Sequence, residues 1–195
     1  MGNTMAAVAR DGLAQGALGE VFADYVRELR AAWAEEDIPE RAYRCRRAME
    51  RLLASKEGAW VSAMDEVALA ERPVELYRDG AAGFIQMAHP YRPGHATSPH
   101  GHGPGAWVVY GVQRGQVEMA TYEETGDEPP LRTLASEVLE AGRACTYLPG
   151  EIHSTRAVTG VSGDAATAVV LRLLSEDLSR LRRPRYGWHD VAVPR

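Results

Sequence analysis

Apolar residues in the first third of the chain recur at helical spacing. Val21, Phe22, Tyr25, Val26 and Leu29 are three and four residues apart, which stacks them on one face of an α-helix. The stretch from about Gly12 to Leu69 is rich in Ala, Glu, Arg and Leu and is expected to be helical throughout. Pro39 suits the first turn of a second helix, with Asp37 upstream as its cap. That helix should run through Met49 and Leu53, and a third, short one is expected from Trp60 to Leu69.

At Arg72-Pro73 the pattern changes. From there to Leu174 the chain is a succession of short β-type runs punctuated by Gly and Pro, the pattern of an antiparallel barrel or sandwich. The clearest runs are Gly83 to Ala88, Trp107 to Gln113, Gln116 to Tyr122, Ala144 to Leu148, His153 to Val158 and Ala165 to Leu174. Arg114-Gly115 and Pro149-Gly150 read as tight turns, and Gly126 to Pro130 as a longer loop. The expected organisation is a helical segment over 1–71, a β-barrel over 72–175 and a tail over 176–195.

Composition narrows the class of protein. A chain of 195 residues with 45% hydrophobic and 25% charged side chains suits one water-soluble domain with an appendage. A net charge of -5 gives no general electrostatic reason to bind nucleic acid. The basic run Arg180, Arg182, Arg183, Arg185 is read as a solvated face or a subunit contact. Apolar runs such as Ala165 to Val170 fall far short of a membrane span, and the N-terminus lacks a signal peptide's order. A cytoplasmic protein without nucleic-acid or membrane partners is therefore expected. Two cysteines, Cys45 and Cys145, permit no disulfide framework and are read as buried thiols.

The candidate chemistry lies in histidines. Within Ser98-Pro-His100-Gly-His102-Gly-Pro-Gly105 two imidazoles stand at i and i+2, a spacing that aims both at the same face of extended backbone. A third follows in Leu148-Pro-Gly-Glu-Ile-His153, where a Pro-Gly turn launches a strand. Such a set suits a metal held in the mouth of a barrel. His89 and His95, which frame Pro90 to Gly94, read as turn-borne, exposed and outside this group.

The order His-x-His, a strand ending in Gly115, then Pro-Gly-x-x-His resembles the two cupin motifs over roughly Leu76 to Leu174. The fold it implies is a mainly β, single-domain cupin with an α-helical N-terminal segment. Within cupins the chain looks most like the thiol dioxygenases, the family of cysteine dioxygenase and mercaptopropionate dioxygenase. Glu75 to Asp79, Gly83 to Met87 and Pro93 to His100 carry that narrower likeness. Many cupins place a glutamate four or five residues beyond the second histidine, where this chain has Ala106 and Trp107. The resemblance thus implies three neutral histidines, His100, His102 and His153, around one iron(II). Imidazole itself suits iron, zinc, copper and nickel alike, and manganese also stays open.

By the same likeness both atoms of dioxygen would add to a thiolate while an arginine holds the substrate's carboxylate. Arg78 stands where the family's carboxylate-binding arginine falls, and its planar charge suits that task. Arg172 is the rival. It lies among aliphatics, where a buried guanidinium needs an acidic partner, at the position of the histidine in the family's Ser-His-Tyr network. The family's Cys-Tyr crosslink has no counterpart, since Trp107 and Leu174 occupy those positions. Tyr110 and Tyr122 are candidate hydroxyl donors, Trp107 a candidate pocket wall and Glu151 a candidate base or ligand. Two alternatives stay open: a lyase, isomerase or hydrolase with the metal as Lewis acid and Tyr110, Tyr122 or Glu151 as base, and a non-catalytic metal-binding cupin. Besides a small anionic substrate and dioxygen, the resemblance implies a homodimer.

Overall fold

Three α-helices come first among the described residues, and the starts of two have a reason visible in their neighbours. The computed structural model describes residues 15–158 and 168–192, so the expected helical residues 12–14 and strand residues 165–167 lie outside the described part. Helix α1 spans Gly19–Ala32, α2 Ile38–Ala54 and α3 Gly58–Leu69. Asp37 caps α2, accepting from the Glu40 amide at 2.8 Å, with Pro39 in the first turn. Helix α1 has no capping side chain of its own. The Glu57 carboxylate reaches across to the Glu20 and Val21 amides at 2.9 and 2.7 Å, satisfying orphan donors at the positive end of the helix.

Nine strands follow among the described residues: β1 Val74–Arg78, β2 Ile85–Tyr91, β3 Ala96–His100, β4 Val108–Arg114, β5 Gln116–Glu124, β6 Leu131–Glu140, β7 Ala144–Tyr147, β8 Ile152–Ala157 and β9 Ala168–Leu174. They form two antiparallel sheets, ordered β1-β2-β9-β4-β7 and β3-β8-β5-β6. Strand β2 runs on through Pro90 to Tyr91, although His89 was expected in a turn. It pairs with β9 throughout, while its pairing with β1 ends at Ala88. Pro90 therefore sits where β2 has a neighbour on one side only, the place a ladder tolerates proline.

The five-stranded sheet is covered on both faces. Phe84, Trp107, Val109, Leu171 and Leu173 pack outward against Phe22, Leu29, Met49, Leu52 and Trp60 of the helices. Val108, Tyr110, Val112, Cys145, Tyr147 and Val170 face the barrel interior. Burial on both faces explains why β4 and β9 read as almost continuous apolar runs. Each fully buried side chain of this size stabilises by about 1.5–3 kcal/mol. Helix α2 lies so close over β4 that a Cβ on Gly111 would fall 2.5 Å from Met49 Sδ.

The four-stranded sheet keeps part of its outer face exposed. The C-terminal residues cross the rest of it. The Tyr186 amide donates to the Pro99 carbonyl at 2.9 Å and the Gly101 amide to the Pro184 carbonyl at 3.1 Å. Tyr186 and Val191 pack on Ala120, Tyr122, Leu131 and Ile152. The tail is thus a strap laid over the segment that carries His100 and His102. No helix among the described residues is long and apolar enough to cross a membrane.

Candidate metal centre

His100 ends β3, His102 follows two residues on, and His153 is the second residue of β8. The two strands are neighbours, and His100 lies directly opposite His153. His102 does not continue the strand. It arrives by a loop that turns at Gly103, where φ is +96°, a conformation glycine adopts without steric cost. The strap limits this loop, since a Cβ on Gly101 would lie 3.0 Å from Pro184 Cγ. The result is the expected convergence by a different route: one ligand atom of each histidine lies within 4.8 Å of the others.

The nitrogens that point inward follow from the hydrogen bonds. His100 Nδ1 lies 2.9 Å from the Ser98 carbonyl, which can only accept, so Nδ1 carries the proton and Nε2 keeps its lone pair. His102 Nε2 and His153 Nε2 are 3.2 Å apart. Adjacent positions on an octahedral ion with metal–nitrogen bonds of about 2.1 Å are about 3.0 Å apart. The donor set therefore fits a divalent metal ion.

Burial keeps these imidazoles neutral. It is the main cause lowering the His100 pKa to about 4, with the charges of Arg172, Arg183 and Arg185 adding to it. His102 is lowered to about 2, first by burial and then by His100. His153 falls well below its ordinary value for the same two kinds of reason. Neutral imidazole is the form that ligates, so the site is poised for a metal across the neutral range.

Two tyrosines and an arginine close around the group. The Tyr147 ring stacks on His153 at 3.8 Å and 13°. Tyr110 Oη lies 3.1 Å from His153 Nε2, and burial raises its pKa, so the phenol stays a proton donor at neutral pH. Arg172 packs its guanidinium over the Tyr110 ring, 5.1 Å from the centroid. Among the described residues Arg172 has no carboxylate partner, and its buried Nε has no acceptor.

The other candidates lie elsewhere. Arg78 is at the exposed edge of the five-stranded sheet, paired with Glu75 at 2.7 Å and Asp177 at 3.2 Å. Those carboxylates answer its charge outside the barrel, and it is not brought to the histidines. Trp107 is buried on the opposite face of β4, its ring 5.3 Å from that of Trp33, so it is a wall of the helix–sheet core. Tyr122 has the other parity from Thr121, which pairs with His153, and it hydrogen-bonds Ser154 at 2.9 Å beneath the strap. Glu151 is exposed and accepts from the Leu148 amide, closing the Pro149–Gly150 turn.

Sequence reasoning passed over Tyr147 and Arg183. Tyr147 stands just before the Pro-Gly turn, and only the β4–β7 register, Val108 opposite Tyr147, turns it inward. Arg183 was read as a solvated or contact residue. The strap instead carries it, half-buried, to where its charge acts on Tyr110, His100 and His102. His89 and His95 were also read as exposed, yet the Nε2 of each is buried.

The two antiparallel sheets, with His100 ending one strand, His102 just beyond it and His153 on the neighbouring strand, give this chain the fold class of a single-domain cupin. No protein-family model matches the chain, and no curated protein matches it. Similar solved structures include oxalate oxidase in complex with the substrate analogue glycolate, at 20% identity and TM-score 0.38 over 48% of this chain. The match spans 42% of the oxalate oxidase chain. KdgF from Halomonas sp. is 14% identical over 56% of this chain and 82% of its own, at TM-score 0.40. A Klebsiella pneumoniae protein with a double-stranded β-helix domain is 14% identical over 64% of this chain and 94% of its own, at TM-score 0.41.

Proposed function

We propose that this cupin is a mononuclear iron dioxygenase that oxidises a small acidic thiol. The observation that carries this reading is one constellation: three neutral imidazoles facing a common point, with the Tyr110 hydroxyl beside them and over its ring the Arg172 guanidinium, which meets no carboxylate among the described residues. His100, His102 and His153 would hold the ion through three neutral nitrogens, leaving its charge uncompensated and open positions for an anion. When bound, iron supplies the chemistry that joins both atoms of dioxygen to a thiolate, giving a sulfinate with no external reductant.

The chain's own residues do the rest. Arg172 offers the charge that an acidic substrate needs, inside the barrel where water screens it little. Tyr110 holds its proton at Oη and can donate a hydrogen bond toward the reacting face. Tyr147 covers one side of His153 and keeps bulk water away from it. The Lewis-acid alternative needs a base, and of its three candidates only Tyr110 lies beside the histidines. Tyr110 holds its proton, Tyr122 lies under the strap and Glu151 closes a turn on the surface.

The test is metal analysis of the purified protein, then anaerobic loading with iron(II) and an oxygen-electrode trace against cysteine and 3-mercaptopropionate. The expected result is one iron per chain and one dioxygen consumed per thiol. Stoichiometric metal without uptake on any thiol acid would overturn the thiol reading.

A further inference from the structure

Strand β3 breaks its alternation just before the metal centre. Thr97 lies opposite Thr155 of β8 and His100 opposite His153, with the register shifted between the two rows. Thr155 and His153 are two residues apart and point to one side of β8. That side is the interior, since Thr155 also pairs with Met119 of the interior core. Thr97 and His100 therefore both look into the barrel, yet they are three residues apart, a spacing that regular alternation puts on opposite faces. Ser98 and Pro99 together oppose Ser154 alone, which makes a one-residue β-bulge. Without it Pro99 would stand opposite His153, and His100 would point away from the other two histidines. Where the bulge falls thus decides whether the centre has its first ligand.

Three hydroxyls fasten the last regular row before the bulge. Thr97 Oγ1 accepts from the Thr155 amide at 3.1 Å and lies 2.8 Å from Thr155 Oγ1. Thr155 Oγ1 lies in turn 3.2 Å from Tyr91 Oη. Tyr91 and Thr155 are buried, so each hydrogen bond here is one that water does not replace. The opposite edge of β3 accommodates the bulge. The Pro99 carbonyl accepts from the Tyr186 amide of the strap at 2.9 Å, so the donor that proline lacks is missing on the strap side and not from the ladder with β8. Valine has the shape and β-preference of threonine, so the strand by itself does not ask for a hydroxyl at position 97.

We propose that Thr97 is a positioning residue of the metal centre: its hydroxyl fixes where the β-bulge falls and so turns His100, not Pro99, toward His153. This rests on the reading of the three histidines as a metal centre and is independent of thiol oxidation. Thr97 acts through His100, and partners that hold a ligand in place change metal affinity by about 10- to 100-fold when removed.

The test strips the purified protein with a chelator and titrates it under argon with cobalt(II), whose visible absorption reports both affinity and ligand geometry. Thr97→Val should bind cobalt(II) about tenfold or more weakly, with a changed spectrum. Thr97→Ser, which keeps the hydroxyl, should stay within threefold of wild type with the wild-type spectrum. Tyr91→Phe removes a hydroxyl from the same cluster but leaves both Thr97 contacts with Thr155, and should also stay within threefold. Circular dichroism checks that each variant folds, and Thr97→Ala takes the place of Thr97→Val if the latter does not. An affinity within twofold of wild type for Thr97→Val, or a Thr97→Ser variant no better than it, would overturn the proposal. An equal loss in Tyr91→Phe would overturn it too, by making the effect one of general stability. Wild-type protein that takes up no cobalt(II) would overturn the metal centre and this proposal with it.

Discussion

The barrel holds two groups of histidines that differ in burial and in company: His102 and His153 of the first are fully buried, His89 and His95 of the second partly so. His100, His102 and His153 face one another, with one ring nitrogen of each directed to a common point. His89 and His95 instead lie near the charge of Arg172, and among the described residues the buried Nε2 of each has no hydrogen-bond partner. Imidazoles that converge on each other suit a cation, because each supplies a lone pair. Imidazoles beside an arginine suit an anion, because they can donate as it does.

The largest effect that separates the groups is on metal binding. His153→Ala should reduce bound metal from one per chain to a trace, since two remaining imidazoles lose the geometry that holds an ion, while His89→Ala should leave it at one. Metal analysis after desalting decides this. Equal loss in both variants would erase the distinction between the groups. Next comes Tyr110→Phe, which removes one hydroxyl beside His153 Nε2 and nothing else. Metal content should stay, and kcat on the acidic thiol should fall about 10- to 100-fold, the scale of one lost preorganised donor. A fall in metal content instead would make Tyr110 a support for His153.

How far such contrasts were readable without a structure depends on how local they are. His-x-His and Pro-Gly-x-x-His are short-range signals, and the groups they mark do come together. The apolar runs of β4 and β9 were also plain, because burial on both faces leaves no polar alternation to confuse them. Strand β6 was missed for the opposite reason. Its residues 132–138 are all exposed, so pairing with β5 makes it a strand, and no hydrophobic pattern marks it. The interior role of His89 was hidden by Pro90, which reads as a turn until β9 is known to pair beyond it. Arg78 and Arg172 could not be told apart by their surroundings, because those are long-range: Asp177 meets the first, and no carboxylate among the described residues meets the second.

A smaller effect concerns protons. The folded pKa of His89 lies well below the usual value of 6.5, chiefly through burial and then through Arg172 and His95. Below pH 6.5 the unfolded chain takes up this proton before the folded one, so the stability due to a neutral His89 is complete above that pH and lost as pH falls. One such site contributes up to about 1.4 kcal/mol per pH unit. Thermal unfolding from pH 6.5 down to 5 should therefore show a shallower fall for His89→Phe than for wild type. Parallel slopes would mean that His89 titrates in the folded protein as it does in the unfolded chain, so that burial and Arg172 do not hold it neutral.

The smallest expected effect tests whether the strap belongs to the anion-binding side. Arg183 rides on it just before two backbone anchors, the Gly101–Pro184 and Tyr186–Pro99 hydrogen bonds, so Arg183→Ser removes a charge without releasing the tail. Its guanidinium is half-buried, and its pKa is lowered first by burial and then by the like charges of Arg185 and Arg172. A cation held near other cations at a mouth raises the local concentration of anions, and salt screens that effect within about 10 Å at 0.1 M. Steady-state rates should show kcat unchanged and kcat/KM for an acidic thiol lowered about threefold at low ionic strength. The difference should vanish in 0.5 M salt and be absent for a neutral thiol. A loss that persists in salt, or that affects the neutral thiol equally, would make Arg183 a packing residue of the strap, and the attraction of the substrate would fall to Arg172 alone.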